Sequence, residues 1–110
     1  MKYIITILTV LTLFLSACKT TEIVSGNVIL VRHAERDNGV DALNDVGKKR
    51  AENLAKMLEN TDIKAVYCSE YQRTIATAQP LCERLHLEPI IYDARDIPSL
   101  IAMIKKDYSK

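Results

Sequence analysis

Short aliphatic runs alternate along this chain with longer stretches in which apolar residues recur every three or four positions. The runs are Val28-Ile29-Leu30-Val31, residues 63–68 and residues 88–92, each of strand length. After the first run, residues 36–43 carry Asp37, Asn38, Gly39 and Asp41 and read as a loop. Asn44 is then an N-cap and Asp45 suits the positive end of a helix that runs to about Asn60. Its stripe of Gly47, Ala51, Leu54, Ala55 and Leu58 faces inward, and Lys48, Lys49, Glu52, Lys56 and Glu59 form a solvated face. Ser69-Glu70-Tyr71-Gln72 matches a capping box, opening a helix that buries Tyr71, Ile75, Ala78, Cys82 and Leu85 and kinks at Pro80. A last helix starts at Ile97 or Pro98, with Leu100, Ile101 and Ile104 inward. The order β-α-β-α-β-α predicts an α/β fold with one parallel sheet and right-handed crossovers.

The first residues follow a different pattern. Lys2 precedes an uncharged apolar stretch over residues 3–15, followed by Ser16, Ala17 and Cys18. A bilayer span needs about 20 apolar residues, so this stretch reads as a secretory signal. Leu15-Ser16-Ala17-Cys18 resembles the bacterial lipobox, which implies cleavage before Cys18 and lipidation of its thiol. Several acyl chains on one cysteine would make a stable membrane anchor, where a single chain binds only marginally. Lys19 follows the cysteine, and the absence of Asp there resembles the Gram-negative pattern sorted to the outer membrane. The expected location is the bacterial cell envelope, with the domain facing the periplasm. A polar tether over the rest of residues 18–26 would hold the domain close to the bilayer.

Charge adds a constraint. The formal net charge is +1, and removing Lys2 with the signal leaves basic and acidic side chains in balance. No global field favours nucleic acid or a polybasic membrane contact, so any affinity for anions must be local. Export to an oxidising compartment opens the way to a disulfide between Cys68 and Cys82. Against that, Cys68 ends an apolar strand and Cys82 lies on an apolar helical stripe, positions that favour buried free thiols.

The candidate chemistry begins at Arg32-His33-Ala34-Glu35, directly after the first apolar run. A strand ending there delivers an imidazole and a guanidinium to its C-terminal rim, where open α/β sheets bind ligands. A neighbouring cation favours the neutral, nucleophilic ring and attracts an anion such as phosphate. Arg73 lies in the first turn after Ser69, and helical side chains lean toward the N-terminus. If the strands are neighbours, Arg73 and that helix end converge on His33 around one anion. Taken one at a time, each of these residues fits a surface role; their combination is more specific. His33-Ala34-Glu35 also fits the first half of a zinc deaminase signature, but the Pro-Cys-x-x-Cys that must follow is absent.

Val31-Arg32-His33-Ala34-Glu35, Leu43-Asn44-Asp45-Val46-Gly47 and the segment from Ser69 through Arg73 to Ala78 together resemble the histidine phosphatase (phosphoglycerate mutase-like) superfamily. The resemblance runs in order over residues 27–92. It implies a three-layer α/β/α parallel sheet of the phosphoglycerate mutase-like type. It maps the nucleophile onto His33 and the phosphate-binding arginines onto Arg32 and Arg73, with Arg36 extending the cation cluster. It implies no metal and no cofactor, and a phosphorylated small molecule or phosphoprotein as substrate. The family's proton donor matches no residue here; Glu35, Asp93 and Asp96 are the carboxylates to weigh.

One feature departs from the family pattern. The family carries a second catalytic histidine on a later strand, typically after a glycine, and His86 at the far end of the second helix does not match it. The expectation is therefore a domain incomplete at its C-terminus: residues 1–17 a signal peptide, 18–26 the lipidated cysteine and tether, and 27–110 the histidine phosphatase domain. The expected activity is phosphomonoester hydrolysis through a phosphohistidine. The rival expectations are a non-catalytic lipoprotein that binds phosphorylated ligands or serves as a structural fragment, and a phosphoglycerate-type mutase.

Overall fold

A computed structural model of the chain describes residues 26–108, so the signal, Cys18 and nearly all of the tether lie outside the described residues. The elements in order are α1 (Asp45–Leu58), β1 (Tyr67–Ser69), α2 (Gln72–Leu85), β2 (Ile90–Tyr92) and α3 (Ile97–Tyr108). β1 and β2 pair in parallel, with Tyr67 opposite Ile90, Cys68 opposite Ile91 and Ser69 opposite Tyr92. A parallel pair joined through a helix is the basic unit of an α/β fold. Both strands are shorter than the apolar runs they draw on, and β1 ends one residue past its run, at Ser69.

α1 forms where local chemistry dictates it. The Asn44 side chain accepts a hydrogen bond from the Gly47 amide at 2.9 Å, and Asp45 stands in the first turn. Gly47, Ala51 and Ala55 are buried, so the small residues of the expected stripe let α1 approach its neighbours closely. Gly47 lies directly against the backbone of Glu35. The buried cluster is small: Ala34, Leu43 and Ala51, with Ala76 of α2 packed against it. Arg84 near the end of α2 bridges Glu59 at 2.6 Å and Glu52 at 3.2 Å, tying α2 to α1.

Several expectations are corrected. Residues 27–31 form no strand; their side chains are exposed, Leu30 at 94%, and they take part in no ladder among the described residues. An apolar run becomes a strand only when a neighbour accepts its backbone hydrogen bonds, and here none does. The Ser69 capping box does not form either. The N-cap of α2 is Tyr71, without a side-chain cap, and the Ser69 hydroxyl bonds the Thr74 hydroxyl at 2.9 Å. α2 buries Thr77, Leu81 and Cys82 rather than Ile75 or Ala78, and runs as one helix through Pro80. α3 starts at Ile97 as expected, yet no residue of it is buried and Ile101 is exposed, because a two-stranded sheet offers it little surface to cover. Cys68 and Cys82 are free and buried. Burial, then the neighbouring Cys82, pushes the Cys68 thiol up to about 11.

Candidate functional site

The turn that carries His33 is fastened to α2 by its next residue. The Ala34 amide donates to the Thr77 hydroxyl at 2.9 Å, and that hydroxyl donates to the Arg73 carbonyl at 2.7 Å. Both Ala34 and Thr77 are buried, so a break here would strand a backbone N–H without an acceptor. This two-bond relay seats the 32–36 segment on the first turns of α2, and through it His33 and Arg73 belong to one connected framework.

The His33 ring is half-buried and its Nδ1 lies 2.8 Å from the Ala34 carbonyl oxygen. A carbonyl only accepts, so Nδ1 carries the proton and Nε2 of the neutral ring keeps its lone pair. Arg32, His33 and Arg36 line a cleft of about 800 Å³ whose opposite wall is α1, with Arg50, Leu54 and Met57. Arg32 is exposed and its guanidinium has no hydrogen-bond partner among the described residues. Arg36 donates from Nη1 to the Val40 carbonyl at 3.1 Å, which closes the following turn.

Arg73 lies outside that cleft. Its Nη1 is 2.9 Å from Asp41 Oδ1, and its guanidinium stacks over the Tyr71 ring at 4.1 Å. The same Asp41 carboxylate accepts from the Gln72 amide at 3.0 Å and the Arg73 amide at 3.2 Å. Asp41 therefore caps α2 from the loop, and the helix N-terminus expected to receive an external anion already holds a carboxylate. Burial pushes the Asp41 carboxyl up, but the Arg73 and Gln72 amides and the Arg73 guanidinium hold it below its usual range.

The carboxylates weighed as proton donors are all engaged. Glu35 pairs with Arg50, and its own backbone N–H followed by that guanidinium hold its carboxyl below the usual range against partial burial. Asp93 is likewise held low by the Arg95 amide and guanidinium. Asp96 accepts from the Ser99 amide and hydroxyl at 3.2 and 2.6 Å and so caps α3. Glu35 and Asp93 are thus ionised at neutral pH and unsuited to donate a proton. His86 is the C-cap of α2, exposed and in the left-handed region at φ 53°. No group of three or more metal-ligating side chains occurs among the described residues.

Three functional neighbours escaped the sequence reading. Asp41 looked like any acidic loop residue, Thr77 sat inside a recognised motif without a role of its own, and Arg50 is masked by the charged face of α1. Of the three, only Thr77 carried a signal, as a hydroxyl on a face otherwise apolar. No curated protein and no solved structure matches the chain. The family model of the Histidine phosphatase superfamily (branch 1) matches residues 28–95, which includes the His33 turn, α1, β1, α2 and β2. The chain belongs to the histidine phosphatase superfamily.

Proposed function

We propose that the protein hydrolyses phosphomonoesters through a phosphohistidine on His33. The observation that carries this reading is the Nδ1 contact to the Ala34 carbonyl, which leaves Nε2 as the nucleophilic nitrogen in a cleft that also holds Arg32 and Arg36. Nε2 attacks phosphorus as the P–O bond to the alcohol breaks, and the leaving oxygen takes the proton carried by the phosphomonoester monoanion, so that the alcohol departs neutral. Water then attacks phosphorus, the N–P bond breaks, and inorganic phosphate departs. Arg32, with Arg36 in the same cleft, neutralises charge on the phosphoryl oxygens, and Arg73, tied to the His33 turn through Thr77, adds to the clamp. The substrate class is a phosphorylated small molecule or phosphoprotein.

The fold that supports this chemistry is a three-layer α/β/α sheet in which residues 27–31 gain strand partners. The exposed aliphatic side chains of residues 28–31 support that reading, since such a run is stable in water only when covered. The domain begins at residue 27, follows a lipidated Cys18 and a short tether, and stands on a membrane of the cell envelope, facing the periplasm. The lipobox-like sequence supports the anchor.

A second reading, a non-catalytic phosphate binder, draws on the ionised state of Glu35 and Asp93, which leaves neither able to protonate a leaving group. Reaction with an activated phosphomonoester, followed by an alkaline denaturing quench and intact-mass analysis, separates the two. Hydrolysis predicts an acid-labile phosphate adduct on the protein that His33→Ala abolishes. Phosphate binding with no adduct, or an adduct that survives His33→Ala, refutes the phosphohistidine.

A further inference from the structure

We propose that Asp41 is a positioning residue that fixes the Arg73 guanidinium for phosphate binding. The inference rests on the reading of Arg73 as a phosphate ligand and adds to it the residue that orients that ligand.

Four contacts define the arrangement. Asp41 Oδ1 takes Nη1 of Arg73, the Arg73 amide donates to the same oxygen, the Gln72 amide donates to Oδ2, and the guanidinium plane lies over the Tyr71 ring. The carboxylate therefore grips the backbone and the side chain of one residue at once, which limits rotation about the bonds between them. Arg73 Nε is buried and has no hydrogen-bond partner. A guanidinium free to turn would give that N–H to water, so the pose is held by the ion pair and the ring rather than by satisfaction of every donor. Nη1 is committed to Asp41, and Nη2 makes no hydrogen bond among the described residues. The anion-binding edge is thus selected by the residue that occupies the other one.

Two effects of Asp41 on an incoming anion oppose each other. Its negative charge repels phosphate, while its grip removes the cost of ordering a long side chain. Ordering one such side chain costs enough to change affinity by about threefold to tenfold. The Asp41 carboxylate is 43% exposed and its charge is already offset by the Arg73 guanidinium and by two donating helix amides, which reduces the repulsion an incoming anion meets. Positioning wins, and loss of Asp41 weakens phosphate.

The test is titration of the 110-residue chain with inorganic phosphate, read by NMR at the Arg73 Nε–H, for the unsubstituted protein, Asp41→Asn and Asp41→Glu. Asp41→Asn keeps an oxygen for the helix amides but loses the charge. Asp41→Glu keeps the charge but displaces it by one methylene. Positioning predicts phosphate binding weakened by about threefold to tenfold in both variants, with faster Nε–H exchange and motion in each. Tighter binding in Asp41→Asn with unchanged binding in Asp41→Glu would mean that Asp41 acts only as a competing charge, and unchanged binding in both would mean that it is only a helix cap. Either result overturns the proposal while leaving Arg73 as a ligand. No response of the Nε–H to phosphate in the unsubstituted protein overturns the reading of Arg73 itself.

Discussion

Replacing Gly47 by alanine sets helix propensity against close packing, and the structure says which prevails. In an exposed helix interior the change would stabilise by about 1 kcal/mol, because alanine loses less backbone entropy. Gly47 faces the Glu35 backbone instead. A Cβ there would overlap the Glu35 carbonyl oxygen and stand 2.9 Å from its amide nitrogen and 3.0 Å from its carbonyl carbon. All three atoms are main chain, so no change of rotamer relieves the overlap. Either α1 retreats or the turn carrying Ala34 and Glu35 moves, at an overpacking cost of about 1–3 kcal/mol. Movement also strains the Asn44 amide bond to the Glu35 carbonyl at 3.0 Å and the Gly47 amide bond to Asn44 at 2.9 Å. Each of those contributes about 1 kcal/mol. Set against the propensity gain, the net destabilisation is about 2–4 kcal/mol. Urea unfolding followed by far-ultraviolet circular dichroism reads this as a lower midpoint with an unchanged slope. A Gly47→Ala midpoint at or above that of the unsubstituted protein would show that α1 and the His33 turn do not meet as described.

Thr77→Val keeps the shape of the side chain but leaves the buried Ala34 amide without its acceptor, a cost of about 1–3 kcal/mol. Amide exchange at Ala34 should quicken at least in proportion, and unchanged protection would refute the relay to α2. Cys68, with its thiol pushed up to about 11 by burial, should resist iodoacetamide at neutral pH in the folded protein and react once urea unfolds it; equal rates in the two states would contradict its placement. Lipidation of Cys18 predicts added acyl mass on intact protein from the membrane fraction, and a mature chain starting elsewhere or without that mass would exclude it.

What the sequence determined by itself is local in origin. Asn44, Asp45 and Gly47 lie within one turn of each other, and the cap they form is legible because every partner is a near neighbour in the chain. The His33 motif, the Gly47 motif and the Arg73 motif identify the family on their residues alone, and the parallel pairing of β1 with β2 follows from two apolar runs joined by a helix. Tertiary structure decided the rest. The cap of α2 comes from Asp41, 31 residues away, and no spacing rule predicts that this loop carboxylate, rather than Ser69, reaches the Gln72 and Arg73 amides. Thr77 acquires its role only because Ala34 arrives from 43 residues upstream. An aliphatic run such as residues 28–31 says which side chains resist water, but whether it becomes a strand depends on a neighbour that accepts its backbone hydrogen bonds. Helical periodicity likewise told which face of α3 is apolar and left open what covers it, since burial is a property of two surfaces and a sequence displays only one of them.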